Sequence, residues 1–220
     1  MDHIPERRRS MIKKNLKVLI ITSLVILLPI LAGVILWDQL PEQIPSHWNA
    51  AGEIDGWSSK SFAVFGMPLI LLAFQWLCAI VTATDPKKAS HSGKVLHLVF
   101  WIIPLLNAVL SVITYAAAMG NEVRIEVIMP VLLGLLFAII GNYLPKCKQN
   151  YTIGIKIPWT LSSEENWNRT HRFAGWLWVV CGILMMLTGF LGSFWILFGI
   201  VFLMVLTPFI YSYLLHRKGV

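Results

Sequence analysis

The sequence predicts an all-α polytopic membrane protein with six transmembrane helices and both termini in the cytoplasm. Three observations carry this prediction. First, 57% of the 220 residues are apolar and only 13% are charged, about half the charged fraction of a soluble domain, and the mean hydropathy is +0.70. Second, six runs contain no Asp, Glu, Lys or Arg: Val18–Trp37, Phe62–Ala83, Leu98–Met119, Val127–Leu144, Phe173–Leu191 and Phe194–Leu215. Each approaches or exceeds the ~20 residues needed to cross the hydrocarbon core, and together they occupy more than half of the chain. No room is left for a separate soluble domain, and a small six-helix bundle is expected.

The third observation is where the charges lie. With spans alternating in direction, sixteen of the eighteen basic residues fall on one side. They are six in the N-terminal tail, three in the second loop (Lys87, Lys88, Lys94), five in the fourth (Lys146, Lys148, Lys156, Arg169, Arg172), and Arg217 and Lys218 at the C-terminus. Only Lys60 and Arg124 face the other way. Positive charge marks the cytoplasmic side, so the net charge of +7 reflects topology and contact with membrane lipids. No nucleic-acid reading module accompanies it, and no direct nucleic-acid partner is expected.

Taken in order, residues 1–17 form a basic tail. The first span is too long for a cleaved signal core and is not followed by a cleavage site, so it reads as a retained anchor. Residues 18–83 form a helix pair around an extracellular loop, 38–61. Within that loop Pro41 and Pro45 favour extended backbone, and Ala51-Gly52 and Asp55-Gly56 read as turns. Trp37, Trp48 and Trp57 are placed for the headgroup layer. Residues 84–126 comprise a connecting loop, the third span and a short outer loop. Residues 127–215 hold the last three spans and the long cytosolic loop 145–172, and 216–220 form a tail. Gly192-Ser193 leaves spans five and six only a tight hairpin. Pro29, Pro68, Pro104, Pro130 and Pro208 favour kinks. Gly134, Gly141, Gly182 and Gly189 suit close helix contacts, and Gln75, Asn107, Ser111, Thr114, Asn142 and Thr188 suit interhelical hydrogen bonds.

The loop 145–172 has the character of a folded segment. Pro158 ends an extended stretch, and Ser162 with Glu165 fits a capping box. A helix from about Ser163 places Trp167, His171 and Ala174 on one face, with Glu164, Asn168 and Arg172 outward. The matches to the N-glycosylation pattern at Asn150 and Asn168 are discounted on a cytosolic face.

Candidate chemistry is sparse. His47, Glu53 and Asp55 are close in sequence, but no metal-ligand spacing joins them, and they read as polar loop residues. Cys78, Cys147 and Cys181 suggest neither a disulfide nor a thiolate site. His171 reads as a capping or interfacial residue. The spans carry no acid or permanent cation, which disfavours a proton-driven pump. A passive channel, or a transporter or exporter of a small or lipid-like molecule, stays open. No catalytic residue, metal or cofactor is expected.

Two stretches carry a family resemblance. LPEQIPSHWNAAGEIDGW (Leu40–Trp57) resembles the signature of the DUF1648 membrane domain. GNYLPKCKQNYTIGIKIPWTLSSEENWNRTHRFAG (Gly141–Gly175) resembles that of the SdpI family, with G-N-x-x-P, then N-x-x-x-G-I-[RK]-x-P-W-T-L, then W-x-x-T-H-R-x-x-G. Lys156-Ile157 replaces the family's more common R-T, keeping the charge but not a forked contact. The resemblance implies a bacterial plasma-membrane immunity protein, not an enzyme, that protects against a secreted Sdp-type peptide toxin. It further implies signalling, by holding a cytosolic winged-helix repressor at the membrane. The outer-loop residues His47, Trp48, Asn49, Glu53, Asp55 and Trp57 are then candidates for toxin contact. Lys156, Trp159, Trp167, Asn168, Arg169, His171 and Arg172 are candidates for the cytosolic partner surface, although a purely structural lead into span five reads the same residues as well.

Overall fold

The computed structural model describes residues 3–87, 93–191 and 194–220, with residues 3–10 and Phe194 described by backbone alone. The side chains of Arg7, Arg8 and Arg9, Lys88 and the Gly192-Ser193 link lie outside the described residues. All six expected spans are long apolar helices: within α1 (His3–Ile35), in α2 (Met67–Thr84, preceded by a π-helical turn Phe62–Gly66), and in α3 (Gly93–Ala118), α4 (Ile125–Tyr143), α6 (Glu164–Thr188) and α7 (Phe194–Arg217). A one-turn helix, α5 (Pro158–Ser162), precedes α6. The first loop adds a two-stranded antiparallel hairpin, β1 (Gln43–Trp48) and β2 (Ile54–Ser59), which the sequence reading did not expect.

The chain divides into two compact units, residues 1–84 with 96–124 and residues 85–95 with 125–220. In the first unit, polar side chains supply the specific contacts between helices. Gln75 Nε2 donates to Thr22 Oγ1 at 2.6 Å and Trp76 Nε1 to Ser23 Oγ at 3.1 Å. From α3, Asn107 Nδ2 donates to the Ile26 carbonyl at 2.9 Å and the Tyr115 hydroxyl to the Pro29 carbonyl at 3.2 Å. Such bonds matter where lipid removes the hydrophobic drive for helix association. Thr114 and Thr188 do not play this part, because their hydroxyls return to carbonyls of their own helices. Leu40, Ile44, Val64 and Tyr115 close a small core beneath the hairpin.

In the second unit, α4 and α6 run antiparallel and touch through backbone. A Cβ on Gly182 would lie 2.5 Å from the Gly134 carbonyl oxygen, one on Gly141 2.8 Å from that of Gly175, and one on Gly189 2.9 Å from that of Val127. The pairs Val127/Gly189, Gly134/Gly182 and Gly141/Gly175 recur every seven residues on both helices. This is the spacing that keeps one seam facing its partner. Helix α7 joins α6 through Cys181, Met185, Ile200 and Met204, a core that Leu133 and Phe137 of α4 also pack against, with Trp178 Nε1 donating to the Met204 carbonyl at 3.0 Å.

Candidate functional site

The segment between α4 and α6 is folded around polar side chains that are nearly all internally satisfied. Asn150, 1% exposed, accepts on Oδ1 from the backbone N–H groups of Thr152 and Ile153, and donates to the Lys148 and Ile153 carbonyls. Its amide is thus occupied by the turn it builds, which physically closes it to glycosylation. Asp85, equally buried, accepts from the backbone of Lys87 and Tyr151 and from the Thr152 hydroxyl. Gln149 pairs with Lys87 and donates to the Thr160 and Leu161 carbonyls at the end of α5. The Thr160 hydroxyl, fully buried, accepts from the Ile157 N–H at 3.1 Å and faces the Ile155 carbonyl at 2.8 Å.

Helix α6 starts one residue later than the S-x-x-E pattern suggests. Ser163, not Ser162, is the N-cap, and its side chain accepts from the Asn166 N–H; the Ser162 hydroxyl donates to the Trp159 carbonyl instead. The expected inward face holds: Trp167, His171 and Ala174 are buried, and Glu164, Asn168 and Arg172 are exposed. Trp167 Nε1 donates to the Cys147 carbonyl at 2.7 Å, and its ring stacks on His171 at 4.0 Å. His171 accepts the Ile155 N–H on Nε2 at 2.9 Å, while its Nδ1 lies 2.8 Å from the Trp167 carbonyl. Only the neutral ring protonated on Nδ1 serves both partners. Gly154 (φ +122°) lets the chain pass beneath these rings, since a Cβ there would lie 2.5 Å from His171 Nε2. Burial pushes the neighbouring Cys147 thiol up to about 11, which removes it as a nucleophile.

One buried cluster has no counterpart in the sequence reading. Asn166 donates to the Ser212 and Val220 carbonyls and accepts from the hydroxyls of Thr170 and Ser212, tying α6 to α7. Of the expected partner-surface residues, Trp167 and His171 therefore face inward and shape the segment. Trp159 is half-buried against Phe209, Tyr213 and His216 of α7. Lys156, Asn168, Arg169 and Arg172 remain exposed. Lys156 reaches the Thr152 carbonyl, and Arg169 pairs with Glu165 at 3.2 Å.

The β-hairpin is the second candidate surface. An Asn49 turn closes it: Asn49 Oδ1 accepts from the N–H groups of Ala51 and Glu53, and its Nδ2 donates to Glu53 Oε2. Gly52, at φ +83°, completes the reversal. The second expected turn is not one. Asp55-Gly56 lies inside β2, where Gly56 opposes His47; a Cβ there would sit 2.7 Å from that of His47. His47 Nδ1 contacts Asp55 Oδ1 at 2.5 Å on the exposed face. Trp48 is half-buried, whereas Trp57 is 55% exposed. At the base Lys60 is buried, bonded to the Trp37 carbonyl and to Glu42 and set over the Trp37 ring. Among the described residues no group of three or more His, Cys, Asp or Glu side chains is placed to hold a metal ion.

Both surfaces lie within longer stretches that match known protein families. The SdpI/YfhL protein family model matches residues 146–212, and the model for a domain of unknown function, DUF1648, matches residues 24–72. The chain is also 32% identical over 190 residues to the Immunity protein SdpI of Bacillus subtilis (strain 168), covering 86% of this chain and 88% of that one. The chain belongs to the SdpI/YfhL family. No solved structure matches it. As a member of the SdpI/YfhL family with six long apolar helices, it is a multi-pass plasma-membrane protein, and its kinship supports an immunity function. The SdpI-matched region begins at Lys146, so it includes the turn built by Asn150 and the Trp167–His171 stack. Asp85, which braces that turn, lies outside both matched regions.

Proposed function

We propose that this SdpI/YfhL-family protein protects the cell that carries it against a secreted peptide toxin, by binding and occlusion and without chemical turnover. The observation that carries the proposal is the 32% identity to an immunity protein across 86% of the chain. The charge asymmetry supports an outward-facing hairpin and cytoplasmic termini. The hairpin then offers the toxin a preformed, turn-locked surface whose largest exposed apolar side chain is Trp57. Expression in a toxin-sensitive host should raise survival. Trp57→Ala should lower the tolerated toxin dose about thirtyfold, as for a hot-spot residue worth ~2 kcal/mol, without changing the amount of protein in the membrane. Labelling of Ser46→Cys by an impermeant thiol reagent in the same intact cells checks that the hairpin faces outward. Unchanged tolerance in Trp57→Ala would remove the hairpin from the toxin contact, and toxin cleaved by the purified protein would refute protection without turnover.

A second role, signalling, draws on the folded segment before α6. The exposed side chains Lys156, Asn168 and Arg169 stand on a scaffold held by buried bonds, which favours a defined contact with a cytosolic winged-helix repressor over a flexible tether. Reversing Lys156 and Arg169 together to Glu should release a fluorescent repressor fusion from the membrane while survival against toxin persists. Retention of the fusion, or joint loss of both functions in a correctly inserted protein, would show that this surface is not a separable signalling contact.

A further inference from the structure

An open pocket of about 340 Å³ between α6 and α7 is lined by Asn168, Arg169, Arg172, Phe173 and Tyr211. Its size falls within the range of small-ligand sites. Phe173 and Tyr211 stack as one wall, with centroids 4.5 Å apart and planes 24° from parallel. Arg169 shares its charge with Glu165 at the rim. Arg172 is different: its guanidinium makes no hydrogen bond or ion pair with any described residue, on a helix whose buried polar groups Asn166, Trp167, Thr170 and His171 are all bonded. Two guanidiniums against one carboxylate leave a single positive charge at the pocket, with the forked donor geometry that suits a phosphate.

The pocket's position along the helices selects the source of that phosphate. Phe173 opens the charge-free run that ends at Leu191, and Arg172 and Arg169 stand on the polar turn immediately before it. On α7, Tyr211 is followed by Tyr213 and by His216 and Arg217 in the last turn. Aromatic side chains beside the outermost bases mark the depth of lipid headgroups. We propose that this pocket binds the phosphodiester of an anionic phospholipid, with Arg172 as the forked donor. Arg169 supplies the second charge, Asn168 meets the polar headgroup, and the Phe173–Tyr211 wall lies against the lipid's glycerol end. The proposal rests on the span assignment and not on the immunity reading, so either can fail alone.

The test uses the full chain in mild detergent, with native mass spectrometry of bound lipid. The wild type should retain one phosphatidylglycerol through conditions that strip phosphatidylcholine. Arg172→Gln should weaken that retention about tenfold, the scale of one lost charged contact, and Arg172→Lys should recover only part of it. Lys218→Gln, outside the pocket, should bind as the wild type does, and an unchanged unfolding midpoint in Arg172→Gln confirms that the fold is intact. Equal retention by Arg172→Gln, or equal loss in Lys218→Gln, would overturn the pocket as a lipid site. Displacement of the lipid by an equal concentration of inorganic phosphate would show a free-anion site and overturn the lipid assignment.

Discussion

Trp167→Ala is expected to lower the stability of the second unit by about 3–5 kcal/mol, the scale of a large core aromatic removed without collapse of the site. The side chain is fully buried, stacks on His171 and is the donor for the Cys147 carbonyl. Its removal therefore leaves a cavity, an unpaired carbonyl and an unsupported imidazole at once. Trp167→Phe keeps an aromatic face for His171 but loses the N–H and part of the indole's volume, so the cost should fall below that of alanine while retaining ~1–3 kcal/mol for the orphaned acceptor. Denaturant unfolding of the purified protein in detergent, followed by tryptophan fluorescence, reads both. An alanine variant as stable as the wild type would mean that the segment from Cys147 to His171 is not held by this ring.

Gly182→Val should in turn disrupt the packing of α4 against α6. A Cβ at Gly182 would lie 2.5 Å from the Gly134 carbonyl oxygen and 2.7 Å from the Ala138 amide nitrogen. Backbone atoms cannot rotate aside as a side chain can, so the helices must separate. The expected cost is at or above the ~1–3 kcal/mol usual for overpacking. Gly199 on α7 supplies the control, because a Cβ there meets nothing within 4 Å. Gly199→Ala should be neutral, or stabilising by up to ~1 kcal/mol through helix propensity. Unfolding midpoints of the two variants, measured side by side, check the contrast; equal midpoints would contradict backbone contact between the helices.

What the sequence made legible follows from how local each signal is. The six spans could be read because an uncharged run of about twenty residues has few alternatives. The inward face of α6 was readable from the spacing of Trp167, His171 and Ala174. The cap was off by one because Ser162 and Ser163 are both good caps, and the bonding of Ser162 within α5 settles the choice. Asp55-Gly56 has turn composition, but pairing opposite His47 sets a strand there, so cross-strand register overrode local propensity. Asp85 and Ser212 could not be found by reading outward from the motif. Their partners lie 66 and 46 residues away along the chain, and only the fold brings them together. Lys60 carried its charge openly in the sequence, but nothing local told that it would be buried on Trp37 and Glu42.

The sevenfold stepping of Val127/Gly189, Gly134/Gly182 and Gly141/Gly175 has a mechanical consequence. Packed helices commonly slide past one another when side chains can re-mesh at small displacements. Here carbonyl oxygens sit over bare Cα atoms at three levels, and the next register that repeats this fit is a full heptad away. Shear along the α4–α6 seam is thereby blocked, and the two helices move as a single lever arm. A push delivered at one end of either helix must tilt the pair as one piece. Its displacement then appears at the far end, where α6 carries the folded segment around Trp167.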